Sequence, residues 1–167
     1  MNRPILFLDC DGVVNTTSTE PLPYDKRRPA WRKYAHLSEP AIVARLKAFV
    51  QAHNMIVVVS STWRKLNTRA QFISYLGDWL QAHIPRSKHW RTVSTNKGFR
   101  GEEVRIWFRA NPRHGAAPYV IFDDDSDFYP DQPHVKTHYD HGLTDANIAR
   151  ASQLLAEQQC STLSSTT

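Results

Sequence analysis

The sequence predicts an α/β protein, a three-layer sandwich with a central, mostly parallel sheet between helices. Three short apolar runs, residues 5–8, 55–59 and 119–122, stop abruptly at polar clusters, as buried strands do. Segments with helical spacing of apolar residues separate them. Buried strands that alternate with amphipathic helices build parallel sheets covered on both faces.

Each element has its own signal. Residues 5–8 end in Asp9-Cys10-Asp11-Gly12, a strand followed by a tight turn. Residues 15–37 are rich in Pro, Thr, Arg and Lys and have no period, which predicts an irregular basic loop. Ser38-Glu39-Pro40 opens a helix, with Ile42, Val43, Leu46, Phe49 and Val50 on its apolar side. The valine-rich run 55–59 passes directly into Ser60-Ser61-Thr62-Trp63-Arg64. Asn67 or Thr68 caps the next helix, which buries Phe72, Ile73, Tyr75, Leu76 and Leu80. Residues 84–97 have no clear pattern beyond a short strand at 90–93. Val104, Trp107 and Phe108 predict a helix over 101–110, stopped by Asn111-Pro112. The run 119–122 ends in Asp123-Asp124-Asp125, and residues 134–137 form a last short strand. Thr144-Asp145 opens a final helix to about residue 158. The pattern predicts one domain over residues 1–160 and a flexible Ser/Thr-rich tail over 161–167.

Composition narrows the function classes. Hydrophobic residues make up 41% and charged residues 22% of 167, so one core forms without disulfides or structural metals. No apolar run approaches the roughly 18–20 residues that cross a membrane, and the start lacks a signal peptide's cleavage site. Two distant cysteines, Cys10 and Cys160, fit a reducing cytoplasm. The net charge of +5 favours anionic partners such as phosphorylated metabolites or nucleic acid.

The chemistry lies at the strand ends, where parallel sheets bind ligands. Asp9/Asp11, Ser60/Ser61/Thr62 and Asp123/Asp124 each follow an apolar run directly. Alone, an Asp-x-Asp is a solvated turn and Ser-Ser-Thr a helix cap. Brought together, the carboxylates repel one another unless a cation sits among them, and magnesium with oxygen ligands suits such a site. An aspartate can then attack phosphorus, a second can handle the proton, and a hydroxyl and a basic side chain can hold the phosphoryl oxygens.

These motifs resemble those of the haloacid dehalogenase-like (HAD) phosphatase superfamily. Leu6-Phe-Leu-Asp9-Cys-Asp11-Gly-Val-Val-Asn15 is similar to its first motif, Val57-Val-Val-Ser60 to its second and Val120-Ile-Phe-Asp123-Asp124 to its fourth. The resemblance implies a Rossmann-like, capless or minimally capped fold and a magnesium-dependent phosphomonoester hydrolase. It implies Asp9 as nucleophile and metal ligand, and Asp11 as acid/base with its carbonyl on the metal. Ser60 and Ser61 bind phosphate, and Asp124 with Asp123 complete the metal cage; Asp127 is the alternative ligand. For the third-motif base the preferred residue is Lys97, with Arg100 and Lys88 as competitors, and Arg64 is a further phosphate contact. Ser60-Ser-Thr-Trp-Arg64, Arg100-Gly-Glu-Glu-Val104, Asp123-Asp-Asp-Ser-Asp127 and Gly142-Leu-Thr-Asp145 also resemble small HAD domains of bacterial and phage RNA-repair proteins.

A capless site admits large substrates. The loop 25–33 mixes five basic residues with Trp31, suited to track a phosphate backbone and stack on a base. The expected partner is therefore a phosphorylated substrate, a nucleotide or a nucleic-acid end. The alternative is a module that binds such an end without turning it over. His138, Asp140 and His141 lack the spacing of a zinc site.

Overall fold

The structure, a computed structural model, describes residues 2–19, 38–95 and 98–164. Four strands, β1 (Ile5–Leu8), β2 (Ile56–Val59), β3 (Tyr119–Asp123) and β4 (His134–Lys136), form one sheet in the order β2-β1-β3-β4. Every pair is parallel. The helices are α1 (Pro40–Ala52), α2 (Arg69–Leu76), α3 (Arg100–Ala110) and α4 (Asp145–Ser164).

The period of two along a strand sorts side chains to opposite faces. Leu6 and Leu8 of β1 join a core with Ile42 and Leu46 of α1, Phe72 of α2 and Leu155 of α4. Ile5 and Phe7 turn the other way, onto Val104 and Trp107 of α3. Phe7 meets Trp107, Phe108 and Tyr119 edge-on at 5.4, 5.6 and 5.9 Å, contacts worth about 0.5–1.5 kcal/mol each beyond burial. The result is the expected three-layer, Rossmann-like sandwich.

The topology sets the site. From β1 the chain moves out to β2, then crosses back over β1 to β3. The strand order therefore reverses between β1 and β3, where open parallel sheets leave a crevice at their carboxyl ends. Leu8 pairs with both Val59 and Phe122. The next residues along these strands are Ser60, Asp9 and Asp123, so the register sets them in one row. Ser60 N–H donates to Leu8 O at 2.9 Å and Asp9 N–H to Phe122 O at 3.0 Å, which fixes that row.

Local chemistry explains most boundaries. Pro40 starts α1, and Thr68 caps α2 in a reciprocal box with Gln71. Asn67, the other expected cap, instead donates to Trp63 O at 2.9 Å. Among the described residues, differences from the sequence reading in the elements are confined to edges. The strand expected over 90–93 is reduced to a 3₁₀ turn, Lys88–Trp90, and a single bridge from Arg91 to Val59. Helix α4 continues through Ser164, into the segment expected to be a flexible tail. Among the described residues, the interval from β1 to β2 shows only α1, and that from β2 to α3 shows α2 and short 3₁₀ turns. No helix among the described residues is long and apolar enough to cross a membrane.

Candidate active site

Asp9, Asp123 and Asp124 form one group whose carboxylate oxygens lie within 4.8 Å of one another. Asp9 and Asp123 are buried at adjacent strand ends, and Asp124 is half-buried beside them. Gly12 makes that approach possible. Its φ is +65°, and a Cβ there would sit 2.7 Å from Asp124 Cγ. Only a residue without a side chain tolerates both the left-handed backbone and the contact.

Burial raises the Asp9 carboxyl above the usual range; Arg100 opposes this, while Asp11 and Asp124 add to it. Burial likewise raises Asp123, with Asp9 as the next contributor. Asp124 is lifted by burial and by Asp125. Carboxylates that resist ionisation in this way bind a cation readily, since the cation restores the charged form. The donor set is oxygen-only, which suits a hard divalent ion.

Among the described residues, Arg100 is the basic side chain that meets the cluster. Its Nη1 donates to Asp9 Oδ1 at 2.7 Å and to Asp123 Oδ2 at 2.6 Å, and Nη2 lies 3.5 Å from Asp125. Burial works against its charge, but Asp9 and Asp123 outweigh that and push its pKa further up. Lys97, the residue preferred from sequence, lies outside the described residues. Lys88 lines a groove with Lys65, His89 and Arg91 instead. Asp127 is not in the carboxylate group: its Oδ2 accepts from Arg100 N–H at 3.0 Å and its carbonyl from Gly101 N–H at 3.0 Å. It caps α3 and so aims Arg100 at the cluster.

The second strand end divides its polar residues. Ser60 Oγ is buried and has no hydrogen-bond partner among the described residues. A buried hydroxyl left without a partner is costly unless a ligand completes it. Ser61 Oγ instead accepts from Trp63 N–H at 3.2 Å, capping the 3₁₀ turn Thr62–Lys65. Arg64, expected at phosphate, is a structural clamp. Its Nη2 meets Glu103 at 2.5 Å, Nε donates to Thr92 O at 3.1 Å, and Nη1 donates to Ser60 O and to Ser61 O. Only 4% of its side chain is exposed and each nitrogen has an acceptor, so none is left for phosphate.

Asp11 stands apart from the carboxylate group and is partly exposed. Its Oδ2 accepts from the Trp63 indole at 2.8 Å and its Oδ1 from Asn15 Nδ2 at 3.1 Å. The sequence signalled the strand ends but not these side-chain partners. Asn15 closes the first motif and Trp63 follows the second, and neither position announces Asp11 as its partner. Cys10 is buried, and burial pushes its thiol up, which makes it a poor nucleophile.

A family model for the HAD domain in Swiss Army Knife RNA repair proteins matches residues 5–148. The chain belongs to this family. The matched stretch takes in all four strands of this HAD domain and all three polar strand ends. No curated protein and no solved structure shows a significant match.

Proposed function

We propose that the chain is a magnesium-dependent phosphomonoesterase that works through an aspartyl-phosphate on Asp9, with a polynucleotide end as its substrate class. The observation that supports this most is the row of Asp9, Ser60 and Asp123, with the buried Ser60 hydroxyl unpartnered beside two cation-seeking carboxylates. Magnesium, held by Asp9, Asp123, Asp124 and the Asp11 carbonyl, would supply charge neutralisation at the phosphoryl oxygens.

The chain's own residues do the rest. Asp9 attacks phosphorus while the bond to the ester oxygen breaks, and that oxygen takes the proton of the Asp11 carboxyl. Asp11 then takes a proton from water, whose oxygen bonds to phosphorus. The acyl-phosphate P–O bond breaks, and Asp9 and inorganic phosphate are released. Ser60 and Arg100 donate to the phosphoryl oxygens, where charge builds up. The two donors on Asp11 favour turnover over passive binding, since a pure binding module needs no oriented acid.

The RNA-repair setting of the family supports a nucleic-acid end. So does a groove of about 570 Å³ lined by Lys65, Lys88, His89 and Arg91, with no acidic residue in its wall. It borders the site through Arg64, which is bonded to Ser60 O.

The test is phosphate release from an aryl phosphate and from 3′- and 5′-phosphorylated RNA and DNA oligonucleotides, with magnesium and with EDTA. Magnesium-dependent release is expected, faster on an oligonucleotide, and lost by at least ~10⁴-fold in Asp9→Asn. Absence of release from every ester by folded protein would overturn the reading. Lys65→Glu with Lys88→Glu should weaken only the oligonucleotide reaction and flatten its salt dependence.

A further inference from the structure

We infer that Trp63 is a positioning residue for the acid/base step: with Asn15 it clamps the Asp11 carboxyl in the one orientation that delivers a proton to the leaving oxygen. The inference rests on the phosphomonoesterase reading and deepens it. Each oxygen of Asp11 receives one N–H, from Trp63 Nε1 at 2.8 Å and from Asn15 Nδ2 at 3.1 Å. Two donors on two oxygens fix both the carboxyl plane and its rotation, and each oxygen keeps a lone pair for the travelling proton.

Neither partner can compete for that proton. An indole N–H only donates. Asn15 is held in one flip state because its Oδ1 accepts from Gly12 N–H at 2.9 Å, which turns its amino group to Asp11.

The indole is itself fixed from behind. Trp63 is buried, and its ring meets Tyr75 edge-on at 6.2 Å. Tyr75 Oη donates to Asn67 Oδ1 at 2.6 Å, and Asn67 Nδ2 donates back to Trp63 O at 2.9 Å. Trp63 N–H is tied to Ser61 Oγ, next to Ser60. The end of β2 therefore carries the phosphoryl hydroxyl and the holder of the acid on one rigid turn. Phosphate grip and proton delivery share a frame.

In the first step a misaligned acid harms only those esters that need a proton to leave, and kcat/KM reports that step apart from the water attack that every ester shares. Trp63→Phe should therefore lower kcat/KM on an alkyl phosphate about 10–100-fold, less than the whole proton transfer contributes, since Asn15 still holds one oxygen. On 4-nitrophenyl phosphate, whose leaving group departs as a stable anion, kcat/KM should stay within about twofold. Asn15→Ser should show the same selectivity. Should the buried Trp63→Phe fold poorly, β-(3-benzothienyl)alanine at position 63 keeps the ring and replaces N–H by sulfur. Equal losses on both esters, or no loss on the alkyl ester, would overturn the positioning role while leaving the hydrolase intact. Wild type inactive on these two esters and on the phosphorylated oligonucleotides alike would overturn the hydrolase reading, and this role with it.

Discussion

Arg100 shows how one side chain balances an acidic strand end. Its Nη1 lies between Asp9 and Asp123, within 2.7 Å of both, and supplies the positive charge that two buried carboxylates otherwise lack. Arg100→Met should lower kcat/KM about 10²–10³-fold, the scale of losing a charged donor at the transferring group. Arg100→Lys should recover part of that, since one ammonium still fits between two carboxylates but lacks the fork. Equal rates for Met and wild type on any ester would exclude Arg100 from the chemistry. The sequence left this position open because Lys97 and Arg100 both precede the same helix. Position alone does not say which side chain the helix start points inward. Asp127 turns Arg100 inward, by capping α3 at the residue's own N–H.

At the scale of elements, Arg64 and Glu103 join β2 to α3. Both side chains are 4% exposed and lie 2.5 Å apart, and Glu103 also accepts from Thr95 N–H at 3.1 Å. Removing one partner of a buried pair strands the other charge, at a cost of about 3–5 kcal/mol. Arg64→Met should therefore shift urea unfolding by that amount, and Arg64→Met with Glu103→Leu should regain most of it. An unchanged midpoint in the single variant would show that the pair carries no stability. The helices and inner strands were legible because burial on both faces imposes long apolar runs and helical spacing. Arg64 was misread for a related reason. A basic residue four positions after a phosphate-binding serine looks like a ligand, and only the fold brings Glu103 to meet it. The 90–93 edge and the end of α4 were also missed. An edge segment with a single bridge needs no alternation, and Gln and Ser neither drive nor forbid a helix.

For the molecule as a whole, protons and metal ions should move stability in predictable directions. His53, His114 and His134 are all held below the usual imidazole range, in each case first by burial. Unfolding frees them to take protons near pH 6.5, so the unfolded chain binds more protons below that value. Stability from these groups is full above pH ~6.5 and falls as the pH drops below it; His134→Phe should flatten the slope in urea titrations between pH 5 and 7.5. The carboxylate group acts in the other sense, through a ligand. Asp9, Asp123 and Asp124 come from two strand ends and converge only in the folded sheet, so the unfolded chain offers no such site. Magnesium should then stabilise the native state by RT ln(1 + [Mg]/Kd), about 2.7 kcal/mol at one hundred times Kd. For a chain of this length that is a rise of roughly 5–10 °C in Tm. The readout is thermal unfolding with and without EDTA and needs no turnover, so it tests the metal site apart from the substrate. Asp124→Asn removes a candidate ligand that no ion pair among the described residues holds in place and should shrink the rise to a degree or two. Identical Tm values for the wild type in magnesium and in EDTA would mean that the convergent carboxylates serve Arg100 alone.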